Sequence, residues 1–194
     1  MKDQIRINEI FYSVQGEGFW TGTPMVFVRF SGCNRRCNFC DTSHETFELM
    51  SIDTIVNEVK KYDACRTVLI TGGEPFLQLA GIHALARALH SLGYSIHVET
   101  NGDFYVPPML VDWITVSPKG LDFVQRTGNE MKVVFQDQSR DELDNFLLST
   151  SFPWYYLQPC ACKGKMNIEE TIQYIKSDPR WRLSLQVHKL IGVR

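Results

Sequence analysis

Short apolar runs alternate with stretches of helical period along most of the chain. Met25-Val26-Phe27-Val28-Arg29-Phe30 is the strongest run. Thr67 to Ile70, Tyr94 to Val98, Trp113 to Val116, Met131 to Phe135, Trp154 to Leu157 and Leu183 to Val187 repeat its strand character. Ile5 to Ile10 alternates apolar with polar and predicts a first, edge strand. Between the runs, Ile52, Ile55, Val56 and Val59 recur at helical spacing behind Ser51, a candidate N-cap. Ile82, Leu85, Ala86, Leu89 and Leu92 predict a second helix, with Gly93 where a left-handed C-cap belongs. Ser139-Arg140-Asp141-Glu142 has the form of a capping box ahead of Leu143, Phe146 and Leu147. Asn167 to Glu170 repeats that pattern, with Ile168, Ile172 and Ile175 on one face.

Strands alternating with helices predict a mainly parallel α/β sheet covered by helices. A closed eight-fold barrel usually takes about 250 residues, more than the 194 present. A partial, open α/β barrel is therefore expected, as one domain over residues 1–194. Nothing helical fits between Lys119 and Lys132, so that crossover should be abbreviated. The polar clusters fall after the strand C-termini: a cysteine loop at 31–42, Gly72-Gly73-Glu74, Glu99-Thr100-Asn101, Ser117-Pro118-Lys119, Gln158-Pro159 and His188. In open parallel and barrel folds that rim carries the active site.

Composition narrows the partners. Formal net charge is -2, from 20 basic and 22 acidic side chains, with no basic tail. A nucleic-acid backbone is thus an unsupported partner. The apolar runs fall short of a membrane span, and no signal-peptide stretch follows Met1-Lys2-Asp3-Gln4. A reducing cytoplasm is expected. There, six cysteines, three of them clustered in one loop of a chain with a large core, argue for ligation rather than disulfides.

Cys33, Cys37 and Cys40 are spaced C-x3-C-x2-C. Structural zinc normally takes four ligands, and no second C-x2-C follows. Cys65 stands alone, and one residue separates Cys160 from Cys162. That last pair could bind a second metal, form a labile disulfide or be inert; inert or redox-sensitive loop thiols are favoured. Three soft thiolates at short spacing suit a [4Fe–4S] cluster with one iron left open. Phe39 should shield it. Arg29 interrupts an apolar strand on the face of Phe27, where an arginine needs an anion; an internal salt bridge is the plain alternative. The glycines of Gln15-Gly16-Glu17-Gly18 and Gly72-Gly73 allow backbone to approach a ligand closely. His44, His83, His90 and His97 show no partner pattern.

The three-cysteine spacing resembles the signature of the radical S-adenosylmethionine (SAM) enzymes. Together with Gln15-Gly16-Glu17-Gly18, Arg29, Cys40-Asp41-Thr42, Thr71-Gly72-Gly73-Glu74-Pro75, Glu99-Thr100-Asn101-Gly102 and Ser117-Pro118-Lys119, the chain resembles the 7-carboxy-7-deazaguanine synthases from Glu9 to His188. The resemblance implies a [4Fe–4S] cluster on Cys33, Cys37 and Cys40 whose open iron takes SAM. It implies SAM contacts from Gly72, Gly73, Glu74, Thr100, Asn101, Ser117 and Lys119, with Glu74 receiving the SAM amino group. Substrate contacts would come from Gln15, Glu17, Arg29, Glu99, Gln158 and His188, with Arg29 on a carboxylate. Thr42 would help bind magnesium. The implied reaction removes a hydrogen atom from C6 of 6-carboxy-5,6,7,8-tetrahydropterin. The ring then contracts and ammonia is lost, giving 7-carboxy-7-deazaguanine for 7-deazapurine (queuosine-type) biosynthesis. A low-potential electron donor such as a flavodoxin and a homodimer are implied as well.

Plain readings compete at several positions. Glu17 could be a surface charge, Lys119 a solvated lysine, Asp41 and Thr42 turn caps, and His188 structural. Two other functions compete with the whole. A glycyl-radical-enzyme activase shares the cysteine spacing but needs neither the Gln-Gly-Glu-Gly loop nor Arg29. A non-enzymatic cysteine-ligated binding module is disfavoured by the net charge and the missing fourth ligand.

Overall fold

The computed structural model describes residues 4–43, 46–107, 109–136, 138–162 and 165–193. His44 and the Cys162 side chain lie outside the described residues. The chain begins with strands β1 (Gln4–Val14), β2 (Pro24–Phe30) and β3 (Glu48–Ser51), followed by helix α1 (Ile52–Lys60). Next come β4 (Thr67–Gly72), a 3-10 turn (Pro75–Gln78), α2 (Leu79–Ser91), β5 (Ser95–Thr100), β6 (Trp113–Val116) and β7 (Glu130–Phe135). The remainder is α3 (Arg140–Ser149), β8 (Trp154–Pro159), a small hairpin β9 (Ala161–Cys162) and β10 (Lys165–Met166), α4 (Ile168–Ser177), β11 (Arg182–Leu183) and α5 (Val187–Ile191).

One sheet holds nine of the strands in the order β11-β8-β7-β6-β5-β4-β2-β1-β3. From β2 to β11 every neighbour is parallel. β1 and β3 are antiparallel additions. The sheet does not close on itself, so the expected partial, open α/β barrel is what forms. No helix separates β6 from β7, as the sequence between Lys119 and Lys132 implied.

Local chemistry explains most boundaries. The Ser51 hydroxyl accepts from the Thr54 N–H at 3.1 Å and starts α1. Ser139 and Glu142 form a reciprocal capping box on α3. Gly93 closes α2 with φ of 78°.

Three expectations fail for identifiable reasons. β1 is not an edge strand, because β3 pairs along its outer side. Asn167 does not cap α4; its amide instead accepts from the Cys160 N–H at 2.7 Å and donates to the Phe135 carbonyl at 3.0 Å. The last strand stops at Leu183 rather than Val187. Beyond Ser184, whose N–H still reaches the Leu157 carbonyl, the Val187 N–H turns to the Gly16 carbonyl and the chain leaves the sheet as α5.

The two faces of the sheet have different tasks. Val26, Val28, Phe30, Val68, Ile70, Ile96 and Val98 pack outward against Ile55, Val59, Ile82, Leu85 and Leu89 of α1 and α2. Val116, Met131, Val133, Phe135 and Leu157 continue that layer under Leu143 and Phe146 of α3. The inner face follows the opposite residues of each strand. Its first layer, Phe27, Leu69, His97 and Trp113, lies side by side across β2, β4, β5 and β6. Trp20 packs on this layer and closes one end of the barrel with aromatic surface. Two residues further along each strand the character changes to Arg29, Thr71, Glu99 and Thr115. The barrel is therefore greasy at the N-terminal ends of its parallel strands and polar at their C-terminal ends.

Candidate active site

The polar end opens into a cavity of about 600 Å³. Cys33, Cys37, Cys40, Thr42, Gly72, Gly73, Thr100, Asn101, Ser117 and Lys119 line its rim side. Gln15, Glu17, Arg29, Glu99, Gln158 and His188 line it as well. Every candidate residue except Glu74 thus faces one space, although the residues come from loops across the whole chain.

β2 delivers the chain straight into the cysteine loop. That loop is held from two sides. Arg35 forms a two-pronged ion pair with Asp103, at 2.6 Å from Nε and 2.7 Å from the terminal nitrogen. Asn34 donates to Asp103 at 2.6 Å and accepts from the Asn101 amide at 2.8 Å. On the other side, the Gly73 and Glu74 N–H groups bond to the Phe30 and Gly32 carbonyls. A Cβ on Gly73 would stand 2.1 Å from the Gly32 oxygen, so only glycine lets these two backbones meet.

Cys33, Cys37 and Cys40 are not in disulfides. Burial raises the Cys33 thiol, and its negative neighbours Glu74, Cys37 and Cys40 raise it further. Three thiols close enough to influence one another suit a shared cationic centre. Among the described residues no three His, Cys, Asp or Glu side chains enclose a bare metal ion. Three soft thiolates without a fourth ligand suit a four-iron cluster better than structural zinc. Phe39 is half-buried at the cavity wall, with the Lys119 ammonium 5.7 Å from its ring centroid. Lys119 also donates to the Ser117 hydroxyl at 2.8 Å, and burial lowers its pKa.

Glu74 departs from its expected place. It is completely buried, behind the cavity wall. Its carboxylate accepts from the Phe76 N–H at 3.0 Å, the Asn101 N–H at 2.7 Å and the Thr100 hydroxyl at 2.9 Å. Burial raises its pKa, and those donors oppose the rise. The carboxylate thus ties the β4 loop to the β5 loop, and the Thr100 hydroxyl is committed to it. The backbone of Gly72 and Gly73 remains in the wall.

Arg29 takes an internal ion pair: its Nε donates to Glu9 at 2.8 Å, and its guanidinium lies 5.7 Å from the Phe11 ring centroid. It still lines the cavity. Thr42 lies 3.4 Å from the Asp41 carboxylate, which is paired with Lys189. Gln15 donates to Glu99 at 3.0 Å and accepts from the Glu17 N–H at 3.0 Å. The Gln158 carbonyl oxygen accepts from the Ser184 hydroxyl at 3.1 Å. His188 is carried by α5 rather than by a strand end; burial lowers its pKa, against the pull of Glu17.

Two of the cavity residues outside the candidate set hold Glu17 in place. Lys132 of β7 is ion-paired with Glu17 and lies 3.6 Å from Glu99. Gln186 donates to the other Glu17 oxygen at 2.8 Å. Lys132 had a legible signal, since it is a lone cation in the apolar run Met131 to Phe135, just as Arg29 is in its own strand. Gln186 had none.

With this geometry in view, the comparisons with known proteins are consistent. The Radical SAM superfamily model matches residues 27–126. The 7-carboxy-7-deazaguanine synthase of Bacteroides thetaiotaomicron is 47% identical over 190 residues, spanning 97% of this chain and 98% of that protein. The 7-carboxy-7-deazaguanine synthase of Haemophilus influenzae is 39% identical, spanning 96% of this chain and 93% of that protein. The crystal structure of QueE from Escherichia coli matches with a TM-score of 0.80 at 27% identity, over 95% of both chains. The chain belongs to the 7-carboxy-7-deazaguanine synthase family of the Radical SAM superfamily.

Proposed function

We propose that this chain, acting as one radical SAM domain, converts 6-carboxy-5,6,7,8-tetrahydropterin into 7-carboxy-7-deazaguanine with loss of ammonia. The observation that carries the reading is the meeting of three cysteine thiols and a set of pterin-compatible polar groups in one cavity. Cys33, Cys37 and Cys40 would hold the [4Fe–4S] cluster, and Gly72, Gly73, Ser117 and Lys119 would hold SAM. When bound, these groups supply the radical chemistry of hydrogen-atom removal.

The chain's own residues bind, orient and exclude water. The carboxylates of Glu17 and Glu99 accept from the amino and ring N–H donors of the pterin. Gln15 supplies an amide between them. The Arg29 guanidinium faces the substrate carboxylate, a pairing that suits its planar fork. His188, kept neutral near pH 7 by burial, offers a hydrogen bond without a charge. Gln158 completes the wall. The aromatic layer of Trp20, His97 and Trp113 blocks the far end of the barrel against water.

Thr42 and Asp41 present hard oxygen donors beside the cysteine loop, a donor type that suits magnesium, with the remaining positions left to substrate and water. Thr42 is the proposed protein ligand. A low-potential donor such as a flavodoxin would reduce the cluster. The enzyme would work in the cytoplasm as a homodimer; no helix among the described residues is long and apolar enough to cross a membrane.

Anaerobic incubation of reconstituted protein with the carboxytetrahydropterin, SAM, reductant and magnesium tests the reading. Mass analysis should find 7-carboxy-7-deazaguanine, with a yield that falls when magnesium is withheld. SAM cleavage without that product would refute the substrate assignment.

A further inference from the structure

We propose that Lys132 is a positioning residue for this reaction, holding the Glu17 and Glu99 side chains together as two acceptors at the inner wall of the cavity. The inference rests on the substrate reading above and extends it to a residue that touches the acceptors.

Lys132 sits on the inner face of β7, between Met131 and Val133, which point into the outer core. Its side chain is 4% exposed. A lysine so deeply placed stays charged only if carboxylates surround it. Glu17 reaches it from the loop after β1 and Glu99 from β5. The other charged or titratable groups that face this cluster are Glu130, two residues earlier on β7, Lys119 from the loop after β6, and His188 from α5. The Glu130 carboxylate is already engaged by the Thr115 hydroxyl at 2.8 Å and the Phe19 N–H at 2.8 Å, away from the cavity. Lys132 therefore answers chiefly to Glu17 and Glu99.

Each carboxylate is also fixed by an amide, Gln186 on Glu17 and Gln15 on Glu99. Oε2 of Glu99 has no hydrogen-bond partner among the described residues, in a cavity that its residue lines. Two carboxylates facing one cation leave an excess of one negative charge. That excess suits a ligand edge rich in N–H donors, such as the aminopyrimidinone half of a pterin. Without the cation the two carboxylates would repel, and one would take up a proton and present a donor where an acceptor is needed.

Lys132→Met keeps the stem volume and removes the charge. It should lower kcat/KM for the pterin by about 100-fold, carried by KM. The acid limb of the pH profile should move up by about one pH unit, because the lone carboxylate pair holds its proton longer. Iron content and SAM binding should not change. A purely structural role would lower the melting temperature without moving the acid limb. The double variant Lys132→Met with Glu99→Gln removes the repulsion but not the loss of the cation beside buried Glu17; it should bring the acid limb only part of the way back while KM stays high. If the single variant fails to fold, Lys132→Arg, which keeps the charge, carries the test: KM and the acid limb should stay near those of wild type, and a loss of about 100-fold with the charge retained would overturn the proposal. A folded variant with wild-type KM and an unmoved pH profile would overturn the proposal. Wild-type protein that cleaves SAM but makes no product would instead overturn the substrate reading beneath it.

Discussion

Gly16 and His188 touch without room for a side chain between them: a Cβ on Gly16 would stand 2.1 Å from the imidazole Nδ1. The Val187 N–H donates to the Gly16 carbonyl at 2.9 Å, so α5 is seated on the Gln15–Glu17 loop. Gly16→Ala should push His188 and Gln186 out of the cavity. The expected result is a rise in pterin KM of at least about 10-fold, with iron content unchanged and a stability loss of about 1–3 kcal/mol from overpacking. Steady-state kinetics and thermal melting of the same preparation check both parts.

The pair Arg35–Asp103 fastens the cysteine loop to the loop after β5. Arg35 holds the Asp103 carboxyl below its ordinary range despite the pull of burial in the other direction. Asp103→Asn should loosen the loop at a cost of about 1–2 kcal/mol, the scale of a charge-assisted bond at a partly exposed site. Faster loss of iron in air than for wild type is the expected readout. Equal iron loss would show that the loop needs no such tether.

Glu74 answers three donors on two loops. Glu74→Ala would leave the Phe76 and Asn101 N–H groups buried and unpaired, at about 3 kcal/mol or more. Chemical denaturation should register that loss even in protein without cluster or SAM. A variant of wild-type stability that had lost only SAM affinity would restore Glu74 to the ligand-contacting role the sequence suggested.

His97 is packed between Trp20 and Trp113, and burial lowers its pKa to about 4. The unfolded chain takes up this proton near pH 6.5 and the folded chain only near the lower value. Folding is therefore unpenalised above pH 6.5 and weakens as the pH falls toward 4, by on the order of 3 kcal/mol. His97→Phe should remove this share of the acid sensitivity. The difference in unfolding free energy between variant and wild type should grow in the variant's favour from pH 7 to pH 4.5; a constant difference would contradict the assignment.

Much of the site could be read from the sequence, because its signals are local. Cys33, Cys37 and Cys40 declare themselves by spacing, and Gly72-Gly73 by standing directly after a strand. The open barrel follows from strands alternating with too few helices. What could not be read depends on partners distant in sequence. Glu17 and Lys132 are separated by 115 positions, and only the folded sheet brings them together. Arg29 stands out as a cation in an apolar strand, and Lys132 between Met131 and Val133 stands out by the same reasoning. The stretch from Leu183 to Val187 alternates like a strand, yet a carbonyl on Gly16 draws its end into α5. Glu74 resembles a ligand contact by its motif, while its burial was decided by donors on β5.

The proposed reaction needs the carboxytetrahydropterin held in the cavity with its C6 hydrogen turned toward the radical source. Turnover of substrate deuterated at C6, under anaerobic conditions with SAM and reductant, tests this most directly. 5'-Deoxyadenosine should gain deuterium in step with the appearance of 7-carboxy-7-deazaguanine. Unlabelled 5'-deoxyadenosine with no deazaguanine product, from protein carrying its full iron, would contradict it.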